Sequence, residues 1–184
     1  HKIVTMMTGI PSVIYGFVGI FLLVPLLRSN FDTGSGMSIL AASLMLTLLV
    51  SPTMILIFCD SFSQVPTSYG NAVLAMGGSP TQKFLYAILP SSHRGIFVGF
   101  ALALGRALGD TLIALMIAGN AIQVPGSVLD SGRTLTAHIA LVFAADYESP
   151  EFKAIFACAI VLYFLSGLLA LAIRVTRSKP RRWA

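Results

Sequence analysis

GIFVGFALALGRALGDTLIALMIAG, Gly95 to Gly119, decides the fold. Apart from Arg106, Asp110 and the hydroxyl of Thr111 it is apolar or small throughout. A helix needs roughly 20 apolar residues to cross the hydrocarbon core of a bilayer, and this stretch is long enough. Three others match it: Ile3–Leu27, Met37–Cys59 and Ala154–Ile173 carry no charge at all. The runs are continuous, whereas barrel strands would alternate. The reading is therefore all-α, a polytopic transmembrane bundle of four spans. Composition agrees: 56% of residues are hydrophobic and 10% charged, against about 25% charged in a soluble domain. Cys59 and Cys158 fall at or within spans and read as small buried hydrophobes, not as a disulfide or metal pair. The first apolar run is too long for a secretory signal and has no cleavage site. With no starting Met, the chain reads as fragmentary or trimmed.

Counting basic residues sets the orientation. With the N-terminus cytoplasmic, Lys2, Lys83, Arg94, Arg174, Arg177, Lys179, Arg181 and Arg182 lie inside, and only Arg28, Arg133 and Lys153 outside. Asp32, Asp130, Asp146, Glu148 and Glu151 fall outside as well. Both termini are then cytoplasmic, and the tail RVTRSKPRRWA rests on anionic lipid headgroups with Trp183 at the interface. That basic tail reads as membrane-facing, not as a nucleic-acid contact. Asn30–Gly36 is a short external turn, and Asn120–Lys153 a long external loop opened by Pro125 and Gly126. Within it, RTLTAHIALVFAA (Arg133–Ala145) has helical spacing. Ile10-Pro11-Ser12 and Ser51-Pro52-Thr53 each set a helix breaker beside hydroxyls that can serve the carbonyls proline frees. Each is either a packing kink or a broken helix on a substrate path.

The cytoplasmic loop VPTSYGNAVLAMGGSPTQKFLYAILP, Val65–Pro90, is too structured for a connector. Thr67 or Ser68 can cap a first helix running to about Met76, which Gly77-Gly78 stops. Ser79-Pro80 opens a second helix, which Pro90 ends. Leu74, Met76, Phe84, Leu85 and Tyr86 are too apolar for water, so the chain's own spans or a partner's groove must cover them.

At this loop the chain resembles the permeases of ABC importers. Their coupling-loop pattern is Glu-Ala-Ala, three residues, Gly, nine residues, Ile-x-Leu-Pro. Here it reads Asn71-Ala72-Val73, Gly77 and Ala87-Ile88-Leu89-Pro90, with the spacing kept and Asn, Val and Ala replacing Glu, Ala and Ile. Gly9-Ile10-Pro11-Ser12-Val13-Ile14-Tyr15-Gly16, Gly105–Thr111, Ala118-Gly119-Asn120 and Thr134-Leu135-Thr136 narrow the resemblance to the C-type permease of the phosphate-specific importer. The resemblance implies a type I (MetI-like) importer fold, forming a single permease domain over residues 1–184 and without the family's first two spans. It implies a loop (Asn71, Ala72, Gly77, Leu89, Pro90) docked on an ATPase subunit. It further implies a second permease, two cytoplasmic ATPases, a periplasmic or surface phosphate-binding protein, and location in the cytoplasmic (inner) membrane. No G-x-x-x-x-G-K-[ST] phosphate loop occurs in the chain, so ATP is expected on the partner subunit and no cofactor or metal on this one.

On a continuous helix Gly99, Ala103, Arg106, Asp110 and Ala114 fall within an arc of about 80°. Leu104, Leu108, Leu112 and Leu115 fall opposite. Gly95/Gly99 and Gly105/Gly109 permit close backbone approach. Arg106 and Asp110, four apart, are expected to pair. An intramembrane charge costs at least about 2.5–3.5 kcal/mol, so the pair is either a pin between helices or a site. As a site, Arg106 offers a fork of donors to oxyanion oxygens. Asp110, where the family usually has Glu, can hold that fork or accept a proton from a protonated phosphate oxygen, and Thr111 adds a hydroxyl. The expected function is uptake of inorganic phosphate by an ATP-driven importer. The alternatives are a permease for sulfate or molybdate, a structural membrane subunit, or an intramembrane enzyme. The last is disfavoured because His93 and His138 fall at opposite faces, with no nucleophile or metal-ligand spacing beside Arg106.

Overall fold

The computed structural model describes residues 2–31, 35–143 and 149–178. Asp32, Asp146, Glu148, Lys179, Arg181, Arg182 and Trp183, used above for orientation, lie outside them. The described chain is helical: α1 Lys2–Thr8, α2 Ser12–Phe31, α3 Ile39–Ser63, α4 Thr67–Ala75, α5 Pro80–Gly109, α6 Leu112–Ile117, α7 Leu135–Val142 and α8 Pro150–Ser178. Of these α2, α3, α5 and most of α8 are long and apolar enough to cross a membrane.

The two interior prolines resolve differently. Pro11 breaks the chain: it is extended (φ −60°, ψ 141°) and α2 begins at the next residue. The first run is thus a short α1 plus a span, not one helix. Pro52 stays inside α3 and is buried. It cannot donate to the Leu48 carbonyl, and the Ser51 hydroxyl does so instead at 3.1 Å.

The core lies between α2, α3 and α6, where Tyr15, Val24, Leu27, Ala41, Met45, Leu49, Ile113 and Ile117 pack together. Gly16 and Gly19 leave room on α2 for Met116 and Ile117, so the short α6 sits against its backbone. Farther along the bundle, α5 lies on α3. Gly95 faces Ser61, and a Cβ at Gly99 would reach Phe58 at 2.7 Å. Ser92 ties the same pair of helices, donating to the Ile88 and Ser61 carbonyls at 2.7 and 3.4 Å.

The loop between α6 and α7 folds back over the start of α3. There Ile39 and Leu40 donate to the Asp130 and Val128 carbonyls at 3.0 and 2.8 Å, which supplies acceptors for N–H groups that a helix start leaves free. Asp130 in turn accepts from Gly126 and Ser127. The loop's two ends meet at a parallel bridge between Gly119 and Gly132. The helical spacing read in Arg133–Ala145 becomes α7, and Thr134 caps it, accepting from the Ala137 N–H at 3.1 Å.

Candidate functional site

Gly95–Gly119 is not one helix. Helix α5 ends at Gly109, Asp110 is extended (φ −79°, ψ 119°), and α6 restarts at Leu112. This overturns the expected pairing. Among the described residues Arg106 makes no ion pair and is exposed. Asp110 turns to its own chain, its carboxylate accepting from the Ile113 N–H at 2.9 Å. Each charge instead meets a helix end of opposite polarity. Arg106 sits in the last turn of α5, where free carbonyls gather, and Asp110 lies beside the first N–H groups of α6. The wheel drawn through a continuous helix fails because the backbone leaves helical geometry between the two residues. The glycine expectation divides accordingly. Gly95 and Gly99 do approach α3, Gly105 faces Leu169 of α8, and Gly109 faces open space. Of the leucines read as lying opposite the charges, Leu104, Leu108 and Leu112 are exposed and Leu115 is half-buried.

The break is held from the side by α7. The Thr136 hydroxyl donates to the Asp110 carbonyl at 3.4 Å and lies 3.1 Å from the Thr134 hydroxyl. Sequence reasoning missed this clasp, whose only local signal is a pair of threonines at a helix start. It singled out Asn120 only as part of a motif and missed its geometry: Asn120 is a non-glycine residue in the left-handed region (φ 59°) just after Gly119 (φ 86°). Its side-chain amide donates to the Leu115 carbonyl at 2.6 Å, and its own carbonyl accepts from Arg133 Nε at 2.9 Å. The Thr111 hydroxyl makes no hydrogen bond among the described residues. The break therefore presents an outward guanidinium, a hydroxyl, and a half-buried carboxylate with only one of its oxygens engaged.

At the other end of the bundle, α4 and the start of α5 form the second candidate region. Pro66, not Thr67 or Ser68, holds the capping position of α4, with no side-chain cap. Gly77 is left-handed (φ 82°). The Gly78 N–H reaches the Val73 carbonyl and the Gly77 N–H the Leu74 carbonyl, both at 3.0 Å. Those two bonds are a Schellman ending, as the paired glycines predict. Ser79 and Gln82 cap each other's backbone N–H at 3.3 and 2.7 Å, with Pro80 at the first turn. Pro90 does not end the second helix. A π turn over Phe84–Ile88, closed by the Leu89 N–H on the Phe84 carbonyl, widens the backbone where the proline ring would meet a carbonyl, and α5 runs on to Gly109. Asn71, Ala72 and Pro90 are exposed and Leu89 half-buried. The chain's own spans do not cover the loop: Leu74, Phe84, Leu85 and Tyr86 are exposed, and Met76 is 81% exposed.

The family described as binding-protein-dependent transport system inner membrane component matches residues 2–179. The chain belongs to that family. It is all-α among the described residues, with four helices long and apolar enough to cross a membrane, as befits a family described as an inner-membrane component. It is 31% identical to the probable ABC transporter permease protein YqgH of Bacillus subtilis, over 98% of this chain and 59% of that one. It is 30% identical to the phosphate transport system permease protein PstC of Xylella fastidiosa, over 79% and 51%. With the probable PstC of Methanocaldococcus jannaschii it shares 29%, over 96% and 60%. The permease chain thus spans about half to three-fifths of the length of these curated relatives. No solved structure matches it significantly.

Proposed function

We propose that the chain is the transmembrane permease subunit, a single domain over residues 1–184, of an ATP-driven importer of inorganic phosphate. The observation that carries this reading is Arg106, a guanidinium in the last turn of an apolar span that points out of its own bundle with no carboxylate partner in the described chain. Such a charge is too costly in hydrocarbon to stand alone, so an anion or a neighbouring subunit must meet it. A tetrahedral oxyanion suits its planar fork of donors. Asp110 and Thr111 line the same path, the carboxylate accepting the proton that a hydrogen phosphate carries and sulfate lacks. The names of the PstC relatives point to the same substrate.

A second permease completes the path across the face that Arg106 presents. Two cytoplasmic ATPases bind ATP and grip the loop through Asn71, Ala72, Gly77, Leu89 and Pro90, covering Leu74 and Met76. A periplasmic or surface phosphate-binding protein delivers substrate to the loop between α6 and α7. Both termini are then cytoplasmic, since Lys83, Arg94 and Arg174 share the end of the bundle that carries the α4–α5 loop.

Radiolabelled phosphate uptake by the complete transporter tests the reading. Arg106→Gln removes a charge-assisted contact worth about 1.5–3 kcal/mol, so uptake should fall roughly 10- to 100-fold with assembly intact. Unchanged uptake would make Arg106 structural. Abolition of uptake by excess sulfate would assign the permease to another oxyanion.

A further inference from the structure

We propose that a cavity at the outer-loop end of the bundle is a holding site for the transported oxyanion, one step ahead of the helix break. The inference rests on the reading of the chain as a phosphate permease. The cavity measures about 550 Å³. Its polar lining comes from four elements: Ser43 of α3, Gln123, Arg133 and Thr134 of the loop, His138 of α7 and Cys158 of α8. The remaining walls are apolar, with Ala114 of α6 among them, and no carboxylate is among its lining residues. An apolar cleft with a few convergent polar groups is the usual form of a small-ligand site.

Three observations point to an anion. His138 Nε2 is buried and has no hydrogen-bond partner. A buried ring nitrogen is rarely left so, and since His138 lines the cavity, a small turn of its ring would let an oxyanion there accept from the Nε2–H tautomer. Arg133 is braced by its Nε–H on the Asn120 carbonyl, and the rest of its guanidinium makes no other hydrogen bond or ion pair among the described residues. The third observation is continuity. Thr134 lines the cavity, its hydroxyl lies 3.1 Å from that of Thr136, and Thr136 donates to the Asp110 carbonyl. Two hydroxyls thus bridge the cavity wall and the break, so an anion leaving Arg133 and His138 passes along them toward Arg106.

Cys158 is a built-in probe, half-buried in the cavity wall, and Cys59 is the other cysteine. The complete transporter, carrying Cys59→Ser, is placed in proteoliposomes. The rate at which a small water-soluble thiosulfonate modifies Cys158 is measured with and without phosphate, beside phosphate uptake. At ten times the half-saturating concentration the site is about nine-tenths occupied, so modification should slow about tenfold. Arg106→Gln should keep this protection while losing uptake, and His138→Leu should lose protection. Should His138→Leu not assemble, His138→Gln serves instead, since it lacks the ring's reach. Phosphate uptake without protection overturns the holding site and leaves the transport reading standing. Neither uptake nor protection overturns the transport reading itself. Protection undiminished in both His138 variants overturns the assignment of the site to this cavity.

Discussion

Asp110 is placed to do two jobs, and two substitutions separate them. Asp110→Ala removes the acceptor for the Ile113 N–H, which the carboxylate holds at 2.9 Å. Ile113 is wholly buried, so water cannot take over that N–H cheaply. Loss of a capping side chain costs about 1 kcal/mol, and a buried donor left without an acceptor brings the total to about 1–3 kcal/mol. The strain falls on α6, whose Ile113 and Ile117 fill the core between α2 and α3. Asp110→Asn keeps an oxygen in the same place and caps about as well, within a few tenths of a kcal/mol. It lacks only the charge and the proton-accepting oxygen. Thermal unfolding of the purified complete transporter should therefore show Ala destabilised and Asn near wild type, while phosphate uptake falls in both. An Ala variant as stable as wild type would refute the capping role. An Asn variant with full uptake would refute the carboxylate's part in the path and leave Asp110 as a cap alone.

Three further outcomes follow from the packing. Gly95→Ala sets a Cβ against Ser61 on α3, so the two spans must part and the permease should lose thermal stability. Adding Ser61→Ala should recover part of that loss, and no recovery would place the clash elsewhere. Gly77 is left-handed but has nothing within 4 Å of an added Cβ. Gly77→Asn should therefore retain coupled ATPase activity, whereas Gly77→Val, strained by about 1–2 kcal/mol, should reduce it. Met76→Glu places a charge on the exposed apolar loop, so co-purification with the ATPase subunits should fall while the permease alone stays folded. Unchanged co-purification would show that the loop's apolar face is not the contact.

Four spans, the glycine stop at Gly77 and the Ser79-Pro80 helix start were legible in the sequence. Each is written in local chemistry: an uncharged run, a residue that tolerates positive φ, a hydroxyl before a helix. The charged site was half legible. Its residues stood out as charges in grease, but their geometry did not, because the wheel assumes one phase from Gly95 to Gly119. What breaks that phase is not local. The end of α5 is met by Thr136, 26 residues away. The prolines taught the same lesson. Pro11 ends a helix, Pro52 sits within one beside a serine that serves the freed carbonyl, and Pro90 lies within one behind a π turn. Proline alone does not specify which.

The π turns themselves bear on how the two ends of a span are aimed. One covers Gly19–Leu23, just before Pro25, and the other Phe84–Ile88, just before Pro90. Each holds a single residue more than a regular helix would, and one residue is about 100° of azimuth. Everything on the loop side of Phe84 is therefore dialled about a quarter-turn relative to Arg106. Deleting one residue there would bring the Pro90 ring back onto a carbonyl and turn the loop end of the helix the wrong way. In this permease the compass bearing between the loop and the charged face is set by a surplus of one residue.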